Sequence, residues 1–201
     1  MKVTGIRQQE RDKSRYAIYV DKKYAFSLSA DALLTKGLML GQEFDAVQLT
    51  AYKKLSADDR AYGLALAYAT RRLHSRYELT QYFRRKDYGD ELSEWIMQRL
   101  EAGGLVDDGR FTEAWVHDRR LLRPISKRRL VLELRQKRVA DDVIERVFAD
   151  DQTDERAILT ELIVRKRKQT RYRDDVKLMQ YLVRQGFSYD DVKSALTPKG
   201  W

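Results

Sequence analysis

The sequence predicts a mainly α-helical protein, in which three tandem three-helix repeats form an elongated array behind a small N-terminal β-hairpin and helix cap. Two observations support this prediction. A helix, a tight turn and a second helix recur three times in the C-terminal two-thirds of the chain, whereas the N-terminal part alternates apolar and polar side chains as strands do. With 201 residues, 43% of them hydrophobic, the chain can also bury an ordered core.

The strand-like pattern occupies the first part of the chain. Residues 16–20 and 24–28 alternate around a turn at residues 21–23, which predicts a β-hairpin. Residues 3–7 predict a third strand, because a hairpin alone is only marginally stable in water.

Two predicted helices complete a cap at residues 1–55. The first begins at Ser29 and ends at Gly37, and the second extends from about Glu43 to Lys54. We expect this cap to cover the end of the helical array, because the terminal faces of stacked repeats need shielding from water. An extra contact surface is the alternative role.

The repeating unit is clearest at its last copy, between Leu182 and Leu196. A helix that carries Leu178 and Leu182 ends at Gly186, and Phe187 anchors the turn. Ser188 then caps the next helix. The same three apolar points are Leu178, Leu182 and Phe187 in this copy, Leu130, Leu134 and Val139 in the middle copy, and Leu79, Phe83 and Tyr88 in the first.

Each copy follows a further helical pattern, so we expect repeats at residues 56–107, 108–151 and 152–197 and a tail at 198–201, with Trp201 unexplained. The first repeat is predicted to open at a capping box over residues 56–59, and Trp95 is predicted to lie in its core. Ser75 and Ser126 are good N-caps. Arg138 occupies a turn position that favours a left-handed residue, which makes that turn unusual.

The composition indicates a polyanionic partner. The 40 Lys and Arg outnumber the 31 Asp and Glu, which gives a net charge of +9, and nucleic acid is the common partner of such chains. The absence of cysteine excludes disulfides and thiol chemistry. No apolar run has the length of a signal peptide or membrane span, so we expect a cytoplasmic protein without membrane contact.

The sequence contains few residues that could catalyse a reaction. His74 and His117 are the only histidines and neither has a carboxylate at metal-ligand spacing. Paired acids stand at predicted helix starts, where capping explains them: Asp58 and Asp59, Asp107 and Asp108, Asp141 and Asp142, Asp174 and Asp175, Asp190 and Asp191. We therefore predict a protein that is not an enzyme and needs no metal or cofactor.

Three basic clusters are the candidate binding residues, because a positive surface can track phosphates without reading sequence. Arg128 and Arg135 share one face of a predicted helix. The alternative is an ordinary solvated face with cations near helix C-termini. The candidates are Arg84, Arg85, Lys86, Lys127, Arg128, Arg129, Arg135, Lys137, Arg138, Arg165, Lys166, Arg167, Lys168, Arg171, Tyr172 and Arg173. Tyr172 is included as a possible stacking group for bases.

The three units carry the motifs GlyLeuValAspAsp at 104–108, GluLeuArgGlnLys at 133–137 and GlyPheSerTyrAsp at 186–190. With these motifs, the three units together resemble the RecX family over roughly residues 57–196. The chain departs from the family pattern at Ser126 and Arg138, where glycine is common.

The resemblance implies a three-repeat modulator of the RecA recombinase that binds RecA–DNA filaments, contacts single- and double-stranded DNA and usually inhibits RecA. We expect a monomer. A general nucleic-acid-binding module that acts without RecA is the main alternative, and a scaffold for an acidic protein is another.

Overall fold

A computed structural model describes residues 1–149 and 151–197, so the predicted tail at 198–201 with Trp201 lies outside the described residues. Three strands come first: β1 (Val3–Gln8), β2 (Arg15–Val20) and β3 (Lys23–Ser29). The helices that follow are α1 (Ala30–Thr35), α2 (Ala46–Ala69), α3 (Arg76–Arg85), α4 (Asp90–Ala102), α5 (Asp108–Leu122), α6 (Lys127–Gln136), α7 (Asp141–Ala149), α8 (Glu155–Arg167), α9 (Asp175–Arg184) and α10 (Tyr189–Leu196). A short 3-10 turn, Thr170–Tyr172, precedes α9. The predicted mainly helical class with a small N-terminal sheet is confirmed.

The sheet is antiparallel with the order β1-β2-β3, as the alternating pattern predicts. Asp21 and Lys22 connect β2 to β3 with φ values of 48° and 64°. Two positive φ values in a two-residue turn match the right-handed twist of the flanking strands, which explains this tight hairpin.

Helix α2 differs from the prediction, because it runs unbroken from Ala46 to Ala69. The predicted end near Lys54, and the new capping box from Ser56, are therefore wrong. Ser56 instead exchanges hydrogen bonds with the backbone of Ser27 in β3. Asp59 accepts hydrogen bonds from the backbone N–H and the hydroxyl of Ser29, at 2.8 and 2.6 Å. These side chains resemble a cap in sequence, but they join the middle of a long helix to the sheet.

A buried ion pair strengthens the same contact. Arg15 in β2 lies 2.8 Å from the Asp59 carboxylate, and both side chains are 9% exposed. Arg15 also donates to the carbonyl of Ser27 at 2.9 Å. Such a pair offsets its desolvation only when further hydrogen bonds satisfy both groups, and here they do.

The chain divides into two compact units. Unit 1 holds Met1–Arg72 and Phe83–Ala102, and unit 2 holds Leu73–Tyr82 and the chain from Gly103 onward. In unit 1, the inner face of the sheet packs on α2. The ring of Phe26 stacks there on the ring of Tyr52, with 5.6 Å between the centroids. Unit 2 has one core around Leu130 and Leu134 and another around Leu178 and Leu182. The repeat boundaries at 55/56, 107/108 and 151/152 stay a prediction.

The prediction that Trp95 of α4 lies in the core is wrong. It is 38% exposed, and its ring lies edge-on to Tyr62 at 5.8 Å within unit 1. The guanidinium of Arg99 lies over both rings, 4.3 Å from the Tyr62 centroid and 5.2 Å from that of Trp95. The residues that α4 does bury are Ile96, Met97 and Leu100.

The same turn ends α3, α6 and α9. The second residue after each helix end has a left-handed backbone: Asp87 with φ 55°, Arg138 with φ 56° and Gly186 with φ 93°. The next residue, Tyr88, Val139 or Phe187, donates its N–H to the carbonyl five positions earlier. This is the Schellman motif. It confirms the internal repeat, and it shows that Arg138 adopts the left-handed conformation despite its Cβ.

Two of these turns dock on the start of a preceding helix within unit 2. The carbonyl of Gln185 accepts a hydrogen bond from the N–H of Ser126 at 3.2 Å, just before α6. The carbonyl of Lys137 accepts one from the hydroxyl of Ser75 at 3.3 Å, just before α3. Ser126 and Ser75 also cap their helices as predicted, at 3.1 and 3.2 Å. In both cases, the turn that ends the second helix of one repeat contacts the start of the second helix of the preceding repeat.

Candidate nucleic-acid interface

The predicted basic residues fall in both units. Arg84, Arg85 and Lys86 lie at the end of α3 in unit 1, and Arg84 and Arg85 are exposed. All the other candidates lie in unit 2, on or just after α6 and between the end of α8 and the start of α9.

Helix α6 separates its apolar and basic faces as the spacing predicts. Leu130 and Leu134 are completely buried, whereas Arg128 and Arg135 are exposed. Ser126 fixes the start of the helix by accepting a hydrogen bond from the N–H of Arg129. The helix therefore buries one side and presents guanidinium groups on another.

Three of the six cations around α6 are paired with carboxylates within unit 2. Arg135 donates from Nε to Asp141 at 2.8 Å, and this hydrogen bond together with the carboxylate charge raises the pKa of the guanidinium. Arg129 lies 3.7 Å from Glu133, and Lys137 pairs with Glu78 of α3.

The remaining cations of this cluster, Lys127, Arg128 and Arg138, differ from one another in their surroundings. The Lys127 ammonium lies 5.0 Å from the ring centroid of Phe148. Arg128 and Arg138 have no side-chain hydrogen bond, ion pair or ring contact to any described residue. Within the part of the chain that the structure describes, Arg128 and Arg138 are thus the two cations of the α6 cluster whose side chains have no partner.

Glu133 is the centre of a network that the sequence pattern does not reveal. Its carboxylate accepts hydrogen bonds from Nε1 of Trp115 at 3.2 Å and from Nε of Arg119 at 2.7 Å. Arg119 and Lys137 also lie over the Trp115 ring, at 4.3 and 5.0 Å from its centroid. Lys137 therefore packs between α5, α3 and α6 as part of the framework, and the arrangement indicates a structural role.

The basic segment of the third repeat, residues 165–173, is not one helix face. Helix α8 ends at Arg167, and the 3-10 turn at residues 170–172 changes the direction of the chain. Arg167 pairs with Asp175 and also donates to the carbonyl of Arg173 at 3.0 Å. The side chains of Arg165, Lys168 and Arg173 are exposed and have no partner among the described residues.

Tyrosine rings hold two further cations of this segment. The Lys166 ammonium lies 5.5 Å from the centroid of Tyr172 and 4.6 Å from that of Tyr181. Arg171 lies 5.8 Å from the centroid of Tyr172. Tyr172 is half-buried against Tyr181, with 5.1 Å between the rings, so only part of its ring remains open for a base.

Arg123 is a cation that the sequence reading missed. It is exposed at the end of α5, and it lines a cavity with Arg165 and Lys166. The sequence places it more than forty residues from these two and outside the three predicted basic clusters, so only the fold reveals the group.

The predicted capping role of the paired acids holds for some pairs and fails for one. Asp107 caps α5 by accepting from the N–H of Gly109 at 2.7 Å, and Asp174 caps α9. Asp108 accepts from the N–H of Arg76 at 2.8 Å and so serves the start of α3. Asp58 and Asp59 lie inside α2, so their predicted capping role is wrong.

Histidine and carboxylate side chains are the usual protein ligands of a metal ion in a chain without cysteine. His74 is buried, with Nδ1 3.3 Å from the carboxylate of Glu78. The part of the chain that the structure describes holds no group of three or more His, Asp or Glu side chains placed to bind a metal ion. None of the helices it describes is long and apolar enough to cross a bilayer.

Family models match three parts of the chain, which together exceed half its length. The regulatory protein RecX N-terminal domain matches residues 1–45, the RecX first three-helix domain matches residues 61–100, and the RecX second three-helix domain matches residues 107–147. The match to the N-terminal domain shows that the sheet and α1 belong to the family architecture.

Curated relatives and a solved structure agree. The regulatory protein RecX of Bacillus licheniformis is 27% identical over 96% of this chain and 76% of its own length. That of Halalkalibacterium halodurans is 31% identical over 71% of this chain, which spans only 55% of the relative. A crystal structure of a regulatory protein RecX has a TM-score of 0.76 and 26% identity, and covers 96% of this chain and 98% of that one. The chain therefore belongs to the RecX family of regulatory proteins.

Proposed function

We propose that this protein regulates the RecA recombinase by binding the RecA–DNA filament, and that the usual result is inhibition of filament growth and strand exchange. Membership of the RecX family supports the link to RecA. The basic surface of unit 2 supports a polyanionic partner. The protein acts in this proposal without chemistry of its own, as a binding protein.

The observation that carries the proposal is the partner-free charge of residues 165–173. Arg165, Lys168 and Arg173 are exposed and have no acidic partner among the described residues. A cation of this kind can release a counterion from a phosphate at no cost in broken internal ion pairs. Arg128 and Arg138 near α6 share this property and extend the proposed contact surface.

The family link and the charge explain different parts of the proposed interaction. Phosphate contacts give affinity and a steep salt dependence, but they do not distinguish a filament from bare DNA. Preference for the filament requires contacts to RecA as well, and acidic RecA surface is a suitable partner for part of the same basic set.

The test measures binding to labelled single-stranded DNA by fluorescence anisotropy across a salt series. The DNA is bare in one arm and coated with RecA and a slowly hydrolysed ATP analogue in the other. We expect tighter binding to the coated filament. At full coverage we also expect slower RecA ATP turnover and strand exchange, and unchanged rates of both would contradict the proposal.

A second candidate function is a general nucleic-acid-binding module that acts on DNA or structured RNA without RecA. The exposed cations favour it too, because they need only phosphates as partners. It predicts equal or tighter binding to bare nucleic acid than to the coated filament. Undetectable DNA binding at low salt would instead favour a scaffold for an acidic protein.

A further inference from the structure

The cavity beside Arg123 has the lining of an anion site. It lies within unit 2, has a volume of about 460 Å³, and opens where the ends of α5, α8 and α9 meet. This volume lies within the ~300–1,000 Å³ range of sites that bind small ligands. The polar lining consists of Arg123, Arg165, Lys166, Gln169, Tyr181 and Gln185.

The three cations of this cavity face no acid. Arg123, Arg165 and Lys166 make no ion pair with any described residue, and no carboxylate lines the cavity. By contrast, Arg119, Arg120 and Arg135 of the same unit each pair with a carboxylate.

The cavity also contains neutral donors without partners. The side-chain amides of Gln169 and Gln185 make no hydrogen bond to a described residue, and neither does the hydroxyl of Tyr181. The backbone carbonyl of Gln185 accepts a hydrogen bond from the N–H of Ser126, which anchors the main chain of Gln185 beside the cations. Together these groups provide charged and neutral donors for the oxygens of a single anion.

Helix-end electrostatics do not account for all this charge. Each of the three helix C-termini contributes about half a negative charge, so three cations leave the cavity net positive. The surplus therefore remains available to a ligand.

We propose that this cavity binds a phosphate of a nucleic-acid backbone. A phosphate oxygen pair fits the planar fork of Arg123 or Arg165, and the glutamine amides and Tyr181 supply further donors to the same group. Because this inference names one contact point of the proposed DNA-binding surface, it rests on the proposed function. It places that contact at the junction of the second and third repeats.

The test locates a short oligothymidine on the full-length protein by NMR. We expect it to shift the side-chain amide signals of Gln169 and Gln185, and we expect Arg123→Gln/Arg165→Gln to weaken its binding about tenfold. The charge-matched control is Arg146→Gln/Lys193→Gln, which removes two exposed cations of unit 2 outside the cavity and should weaken binding less than about twofold. Far-UV circular dichroism checks that both variants are folded.

The other outcomes separate this inference from the proposed function. If the oligonucleotide binds without shifting Gln169 and Gln185, or binds the cavity variant as tightly as the wild type, the cavity assignment is overturned while filament binding is untouched. Shifts caused by inorganic phosphate but not by the oligonucleotide also overturn it, since they indicate a free-anion site. If the wild type binds neither oligonucleotide nor filament, the proposed function itself fails.

Discussion

Helix α6 and the segment at residues 165–173 carry similar numbers of cations in the same unit, but those cations have different surroundings. Around α6, Arg129, Arg135 and Lys137 each face a carboxylate. In the later segment, Arg167 is the one cation that faces a carboxylate among the described residues. Paired cations contribute to the stability and geometry of the fold, whereas partner-free cations contribute to the positive electrostatic potential of the surface. The comparison shows that a count of Lys and Arg overstates the charge that a polyanion meets.

The turn after α9 packs against the start of α6, and Gly186→Ala should disrupt this contact. A Cβ at Gly186 would lie 2.3 Å from the Ser126 hydroxyl and 2.7 Å from Cβ of Arg129, in a backbone with φ 93°. Clash and left-handed strain together should lower the free energy of unfolding by about 2–4 kcal/mol. Urea denaturation measures this change.

Gly104→Ala is the matched control for Gly186→Ala. Gly104 is also left-handed, with φ 67°, but a Cβ there would meet nothing within 4 Å. It should therefore cost only about 1 kcal/mol, from backbone strain alone. Equal losses for the two variants would show that the contact between Gly186 and the start of α6 is not tight.

A strongly paired cation in the same unit sharpens the comparison at low pH. Arg120 donates to both carboxylate oxygens of Asp151, with one bond of 2.6 Å, and holds the pKa of Asp151 well below its usual value of 3.8. This contribution to stability is present above pH 3.8 and is lost as the pH falls further, because protonation removes the charge that Arg120 binds.

Asp151→Asn should therefore lower the free energy of unfolding at pH 7 by about 2 kcal/mol and flatten its decline in acid. Denaturation curves between pH 7 and pH 2 measure both effects. The control is Asp142→Asn, since the pair of Asp142 with Arg146 is more than 70% exposed on both sides and should change stability by less than about 0.5 kcal/mol. An unchanged acid profile in Asp151→Asn would contradict the assignment.

A third prediction contrasts a framework lysine with an exposed one. Lys137→Met removes one partner of Glu78, which is only 12% exposed, and also the contact with the Trp115 ring, so it should cost about 1–2 kcal/mol of stability. Lys168→Met, which removes the same charge from a solvated side chain, should change stability by less than about 0.5 kcal/mol. Thermal unfolding of the two variants measures this difference in stability, and similar melting temperatures would contradict the prediction.

The smallest effect is expected at Arg138, whose φ of 56° is costly for a residue with a Cβ. Arg138→Gly relieves left-handed strain but increases the entropy of the unfolded chain, so the net gain should be about 0.5 kcal/mol. The matching change at the equivalent turn of the first repeat, Asp87→Gly, should give a similar gain. Destabilisation of Arg138→Gly would indicate that the arginine side chain packs favourably there.

The sequence predicts the helices and turns well, because their signals are local. Apolar spacing and serine caps lead to α3, α6 and α9, and the three aligned apolar points lead to three copies of one Schellman turn. Ser56 and Asp59 show the limit of this reasoning. Their spacing is that of a capping box, yet their partners lie in β3, and a partner some thirty residues away leaves no trace in local spacing.

The proposed binding surface is less predictable for the same reason. Nothing in the sequence distinguishes Arg129 and Arg135 from Lys168 and Arg173, because pairing is decided by which carboxylate the fold brings near. Arg123 joins Arg165 only through the packing of α5 beside the third repeat. Trp95 likewise has the helical spacing of a core residue but ends at the edge of its helix packing.

The most direct test of the account compares two charge-matched double variants by their affinity for the RecA-coated filament across a salt series. Lys168→Gln/Arg173→Gln removes two partner-free cations, and Arg129→Gln/Arg135→Gln removes two paired ones. The account predicts that the first weakens binding about tenfold at low salt and lowers the slope of log affinity against log salt by about 1–2. The second should leave both within about twofold and 0.5 of the wild type, because its charges are already cancelled. Equal losses in the two variants would contradict the claim that ion pairing decides which cations meet the partner.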